Sequence, residues 1–136
     1  MKDFIGVKAA LFYDDKILVY QRDNKPGLRF AGMWDFFGGG REANETPFEC
    51  LNRELQEELE ITIHKDQVVF SRIFPAAHDA AIEGWFMVVN LTREQAHEFR
   101  FGSEGQQWQW MTPEGFLRND CAVPGMKIRL KAFLEK

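Results

Sequence analysis

The chain has 136 residues, one domain's worth by the usual relation of length to domain number. Lys plus Arg number 17 and Asp plus Glu 21, and the resulting net charge of -4 speaks against a sequence-independent grip on DNA or RNA, which clustered basic residues supply. Hydrophobic residues make up 45%, with 13 Phe and 4 Trp, which excludes a disordered chain and provides for a core. The longest apolar runs, such as Trp85 to Val89, are too short to cross a membrane, and the first residues lack the apolar run of a signal peptide. Cys50 and Cys121 show neither metal-ligand spacing nor a disulfide framework. The expectation is a reduced, cytoplasmic protein forming a single domain over residues 1–136.

Phe4 to Tyr13 is β-rich and ends at the turn signal Asp14-Asp15; Ile17 to Arg22 reads as a second strand, so the two form a hairpin. Asp23 to Gly32, with Pro26 and two glycines, reads as an ordered surface loop. Trp34 to Phe37 is a short strand running into Gly38-Gly39-Gly40. Thr46-Pro47-Phe48-Glu49 then combines a hydroxyl N-cap, proline at the first helical position and glutamate three residues after the cap, opening a helix that runs to about Leu59. Val68 to Ala77 and Ile82 to Leu91 read as strands, Thr92 to Phe99 as a short helix, Gln106 to Met111 as a strand and Met126 to Leu134 as a terminal helix. Mixed strands and helices in one chain predict an α/β or α+β layered fold.

In the central helix Phe48, Leu51, Leu55 and Leu59 fall on one arc, a buried stripe, and Glu54, Glu57 and Glu58 occupy the adjoining one. Spacings of three and four residues bring those carboxylates to one side, at a repulsive cost of about 0.2–0.5 kcal/mol per pair on an exposed helix. A compact group of oxygens suits a hard divalent cation such as Mg²⁺. Taken alone, however, such a segment is usually a solvated helix face, with Arg53 pairing Glu57 one turn on.

The wider context changes that weighting. Gly39 is followed after five residues by Glu45, and after seven more by Arg53-Glu54-Leu55-Gln56-Glu57-Glu58-Leu59-Glu60-Ile61. This resembles the Nudix box at every specified position but one, Glu60 standing where the family has glycine. The lead-in Trp34-Asp35-Phe36-Phe37-Gly38-Gly39 is similar to that of MutT-like members, with Phe37 in place of proline, and Glu104-Gly105-Gln106 followed by Trp110-Met111 resembles their late strand entry. The resemblance covers roughly residues 4 to 111. It implies the Nudix fold, a mixed central β-sheet sandwiched between helices.

It also implies an enzyme: a Nudix pyrophosphohydrolase splitting a nucleoside diphosphate linked to another group by water attack at phosphorus, with Mg²⁺ or Mn²⁺. Glu54, Glu57, Glu58 and Glu104 are then the expected metal ligands, joined by the Gly38 carbonyl. Glu54, Glu57 and Glu104 are the expected catalytic residues, with Glu54 ahead of Glu104 as the group that takes the water's proton. Arg22 and Gly39 are expected at the substrate, and Glu45 and Arg53 as supports of the loop and the carboxylates. A glycine at position 60 would suit a left-handed helix end; Glu60 costs roughly 1 kcal/mol if that conformation is kept.

The leading substrate is a nucleoside or deoxynucleoside triphosphate, cleaved to monophosphate and pyrophosphate. The alternatives are nucleotide sugars, ADP-ribose or dinucleotides and, in a different class, a non-catalytic nucleotide-sensing module. No secure counterpart of the asparagine that reads 8-oxoguanine in some members stands near Ala122-Val123-Pro124. The expected partner is a small nucleotide, with no nucleic-acid polymer and no membrane; a homodimer would be unsurprising. His64, His78 and His97 are scattered and read as surface or packing residues. Trp108 and Trp110 share one face of a strand and read as packing, Cys50 as buried and unreactive. Lys25, Arg29 and Arg41 divide between a phosphate entrance and solvated loop charge.

Overall fold

The computed structural model describes residues 3–76 and 79–136. Strand β1 (Gly6–Tyr13) turns at Asp14 and Asp15 into β2 (Lys16–Gln21). Both turn residues have positive φ, 52° and 63°, the backbone that matches a two-residue hairpin to the strand twist. The 23–32 segment follows as a loop, and then β3 (Trp34–Asp35) and β4 (Phe37–Gly40). The three glycines are themselves strand. The break falls at Phe36, whose backbone N–H donates to Asp35 Oδ1 at 2.7 Å.

Helix α1 (Pro47–Leu59) carries the capping box that its sequence predicts. Thr46 Oγ1 accepts from the Glu49 N–H at 3.2 Å, and the Glu49 carboxylate accepts from the Thr46 N–H at 2.8 Å. It ends at Glu60 in the left-handed conformation, φ 55°, with the Glu60 N–H donating to Gln56 O. The strained ending is thus retained without glycine.

The chain continues through β5 (Val68–Ala76), β6 (Asp79–Asn90), α2 (Arg93–Glu98), β7 (Gln107–Met111), α3 (Pro113–Arg118) and α4 (Pro124–Leu134). Strand β6 starts three residues before its expected position, and α3, capped by Thr112, was not expected from sequence. Ala77 and His78 lie outside the described residues.

The sheet runs β3-β2-β1-β6-β5, with β4 on β1 and β7 on β2. Strand β1 is its hub, pairing parallel with β6 and antiparallel with β2 at its end and β4 at its start. Side-chain alternation gives the sheet two apolar faces. Val7, Ala9, Leu11, Leu18, Tyr20, Met87 and Val89 share a core with Leu51, Leu55 and Leu59 of α1. Ala10, Ile17, Val19, Phe86 and Val88 share another with Phe116 of α3 and Met126 and Leu130 of α4. This is the expected α+β sandwich, a mixed sheet between helices. Among the described residues no helix is long and apolar enough to cross a membrane.

Candidate active site

The acidic face of α1 approaches the sheet at β4, and glycine makes the approach possible. A Cβ on Gly38, at φ 137°, would fall on the Val7 carbonyl oxygen of β1, and a Cβ on Gly39 would fall on the Glu54 carboxylate. The strand can lie against both neighbours only without side chains. The Gly38 N–H, pointing at the helix, donates to Glu58 Oε1 at 3.1 Å. The Gly39 carbonyl accepts from the Cys50 thiol at 3.7 Å.

Arg53 is the hub of the acidic cluster. Its Nε and Nη2 donate to the two oxygens of Glu45 at 2.7 and 3.1 Å, its Nη1 to Glu54 at 3.0 Å and Glu57 at 3.2 Å, and its Nη2 to the Gly40 carbonyl at 2.7 Å. One guanidinium thereby ties α1 to β4 and to the loop between them, using the planar fork that lysine lacks. The Arg53 hydrogen bonds, the largest influence on Glu45, hold its carboxyl below the usual range.

The three helix carboxylates stand in different environments. Glu57 is exposed, Glu54 is half-buried and Glu58 is 7% exposed. Burial pushes the Glu58 carboxyl up to about 8, with the charges of Glu104 and Glu54 adding to the rise and Lys8 opposing it. Burial also raises Glu54, against the pull of Arg53. Glu104 comes from the segment after α2, which is tied to the end of α1 by the Arg100 N–H on Leu59 O and the Gly102 N–H on Glu58 O, both 2.9 Å. Gly105, at φ 89°, lets this segment lie on the Tyr20 ring, where a Cβ would collide. Glu104, Glu57 and Glu58 line one small cavity of about 130 Å³.

The donor set is hard oxygen, and the burial and added mutual repulsion that raise Glu54 and Glu58 are what a divalent cation would offset, so the residues fit such an ion. Among the described residues no three acidic, His or Cys side chains close on one point. Arg53 draws Glu54 and Glu57 toward itself, while Gly38 holds Glu58.

A second and larger cavity, about 850 Å³, is lined by Gly39 and Gly40 of the same strand and shares no residue with the first. Arg22 lines it, with its Nη1 on Asp35 Oδ2 at 3.0 Å and its Nε on the Arg29 carbonyl at 3.1 Å. Lys8 Nζ reaches the same Asp35 oxygen at 3.1 Å and the Phe36 carbonyl at 3.1 Å. Burial, the largest single influence, opposes the Lys8 charge, but the combined pull of Asp35, Tyr20 and Glu58 holds the ammonium above its ordinary range. Four cations, Lys8, Arg22, Arg29 and Arg129, face this cavity against one anion, Asp35, in a chain whose net charge is -4.

Sequence reasoning passed over Lys8, Asp35 and Arg129. Each left a signal: a lysine within the apolar β1 pattern, a carboxylate at an unspecified position of the lead-in, and an arginine on the Met126–Leu130 face of α4. Of the other basic candidates, Arg29 lines the cavity, Lys25 sits 4.0 Å from Asp23 at the surface, and Arg41 bonds the Glu45 carbonyl and stacks over Phe4. His64 and His97 are exposed and away from both cavities. Trp108 and Trp110 both pack edgewise on Phe99.

A family model described as "NUDIX domain" matches residues 4–133. The chain belongs to the Nudix family. Among the relatives of this Nudix chain, a CTP pyrophosphohydrolase of Escherichia coli (strain K12) is 30% identical over 98% of the chain and 93% of the relative. An 8-oxo-dGTP diphosphatase of Haemophilus influenzae is 32% identical over 81% of the chain and 77% of the relative. The crystal structure of a MutT protein from Methanosarcina mazei Go1 superposes with a TM-score of 0.73 at 19% identity, covering 98% of this chain and 95% of that one, and shares the Nudix fold. The protein is an enzyme of the Nudix pyrophosphohydrolase class.

Proposed function

We propose that this Nudix hydrolase, which acts on nucleoside triphosphates or related nucleotides, converts a nucleoside or deoxynucleoside triphosphate to the monophosphate and pyrophosphate with Mg²⁺ or Mn²⁺. The observation that carries the reading is the pairing of an acidic helix face with a cationic cavity along one glycine strand. The names of the two relatives, both enzymes of triphosphates, favour this substrate over nucleotide sugars or dinucleotides.

Glu54, Glu57, Glu58 and Glu104, with the Gly38 main chain, are the groups that would hold the divalent cation. That ion would offset the polyphosphate charge that shifts during displacement. Glu54 is the first choice to accept the proton of the attacking water, because its half-buried carboxylate has a raised proton affinity. Glu104, on its separate segment, is the second. Arg53 and Glu45 position these carboxylates without touching substrate. Arg22 and Lys8, clamped on Asp35, present positive charge to the phosphates, and the Gly39 backbone admits them closely.

The test is a panel of nucleoside triphosphates, nucleotide sugars and ADP-ribose incubated with Mg²⁺ or with chelator, with Glu57→Gln as control. Turnover of triphosphates that requires metal and falls at least a hundredfold in Glu57→Gln supports the reading. Turnover of none, or full activity of the variant, overturns it.

A further inference from the structure

Arg129 is an unusual residue for its surroundings. It lies on α4, on the face that Met126 and Leu130 bury, and is itself only 7% exposed. Its guanidinium sits over the Phe74 ring, 5.5 Å from the centroid. A single hydrogen bond holds it, from Nη2 to the Pro75 carbonyl at 3.5 Å, the long limit for such a bond. Nε and Nη1 have no acceptor among the described residues. Among the described residues no fully buried side-chain nitrogen or oxygen lacks a partner, so the unpaired nitrogens are not wholly enclosed, and Arg129 is one of the residues that line the cavity. Gly84 lies beside it, where a Cβ would stand in ordinary contact, 3.5 Å from Nη2. Burial lowers the proton affinity of the guanidinium, a measure of its desolvation. Removing a cation from water while leaving its donors unpaired is costly unless a ligand completes the set.

The cavity indicates which ligand. The cations that would meet phosphates, Lys8 and Arg22, line the same space, whose other walls include Phe30, Phe74 and Met126. A space of about 850 Å³ is of a size that takes a nucleotide, and its apolar walls suit a base better than a second phosphate. Resting on the nucleotide reading above, we propose that Arg129 reads the base of the bound nucleotide and selects bases with two adjacent hydrogen-bond acceptors. A guanidinium is a donor only, in a planar fork. Guanine offers O6 beside N7, and cytosine O2 beside N3. Adenine places an amino donor beside N7, and uracil an N–H between its carbonyls, so each sets a donor against the fork.

The experiment measures binding of CMP, GMP, AMP and UMP to the full chain by calorimetry, which needs no turnover. It compares the wild type with Arg129→Met, which keeps an unbranched stem, and Arg129→Lys, which keeps the charge but loses the fork. Thermal melting of each variant identifies those that fold. The expected result is that CMP and GMP bind the wild type at least tenfold tighter than AMP and UMP, and that the spread falls within threefold in each folded variant. A wild-type spread within threefold, or a tenfold spread kept by Arg129→Lys, overturns the proposal. Discrimination by Arg129 in a protein that hydrolyses no triphosphate would sink the hydrolase reading alone. Triphosphate hydrolysis without base discrimination would sink the role of Arg129 alone.

Discussion

Adding one methyl group at neighbouring positions of β4 should separate stability from catalysis. In Gly38→Ala the new Cβ points at the Val7 carbonyl oxygen and at Lys8 Cα, both rigid backbone of β1, from a residue at φ 137°. The backbone strain of a non-glycine residue there is about 1–3 kcal/mol. Displacing a β1–β4 pair adds an overpacking cost of about 1–3 kcal/mol, for a total of about 2–6 kcal/mol. In Gly39→Ala the obstacle is the Glu54 carboxylate, the movable end of a flexible side chain. The helix and strand can stay in place while Glu54 swings aside, so the expected stability loss is about 1 kcal/mol. The carboxylate cannot stay where it is, and, with Glu54 in its proposed role as proton acceptor, a displacement of about 1 Å is worth on the order of a hundredfold in rate. Urea unfolding gives the two stabilities, and pyrophosphate release gives kcat/KM for Gly39→Ala. The reasoning fails if Gly39→Ala is the less stable of the two, or if it keeps wild-type kcat/KM.

Three further outcomes follow from local geometry. Glu60→Gly should stabilise the protein by about 1 kcal/mol in urea unfolding, because Glu60 holds a left-handed helix end; a loss of stability would contradict this. Asp35→Ala leaves Lys8 and Arg22 without their shared carboxylate and the Phe36 N–H without its acceptor, and should cost about 3–5 kcal/mol; a loss under about 1 kcal/mol would show that solvent replaces it. Burial, with the Glu45 charge adding to it, pushes the Cys50 thiol up to about 11, so at pH 8 it holds far less thiolate than an ordinary cysteine. Iodoacetamide at that pH should label one thiol per native chain, the exposed Cys121, and two in urea; labelling of both in the native protein would refute this.

Where a short stretch of chain determines the outcome, the sequence was readable. The Thr46–Glu49 capping box and the apolar stripe Phe48, Leu51, Leu55, Leu59 depend on residues within one helix; the structure has the box and buries the three leucines, with Phe48 half-buried against them. The Asp14-Asp15 hairpin is equally local. The glycine run was harder, because its strand character comes from pairing with β1, about 30 residues away in sequence. Helix α3 is six residues long and has too few turns for a periodic signal. The helix carboxylates were correctly assigned to one side of α1, yet their separation into exposed Glu57, half-buried Glu54 and buried Glu58 is set by how close β4 comes. Lys8, Asp35 and Arg129 were invisible as a group because β1, β3 and α4 meet only in the folded sheet.

The central claim is that the acidic face of α1 and the cation-lined cavity act together on one triphosphate. It is tested most directly by ³¹P NMR of a single triphosphate turned over by the wild-type chain with Mg²⁺, alongside chelator and Glu57→Gln. The account predicts equimolar monophosphate and pyrophosphate from the wild type with metal, none with chelator, and a rate at least a hundredfold lower in the variant. Release of inorganic phosphate with nucleoside diphosphate, or pyrophosphate release that persists in chelator, would contradict it.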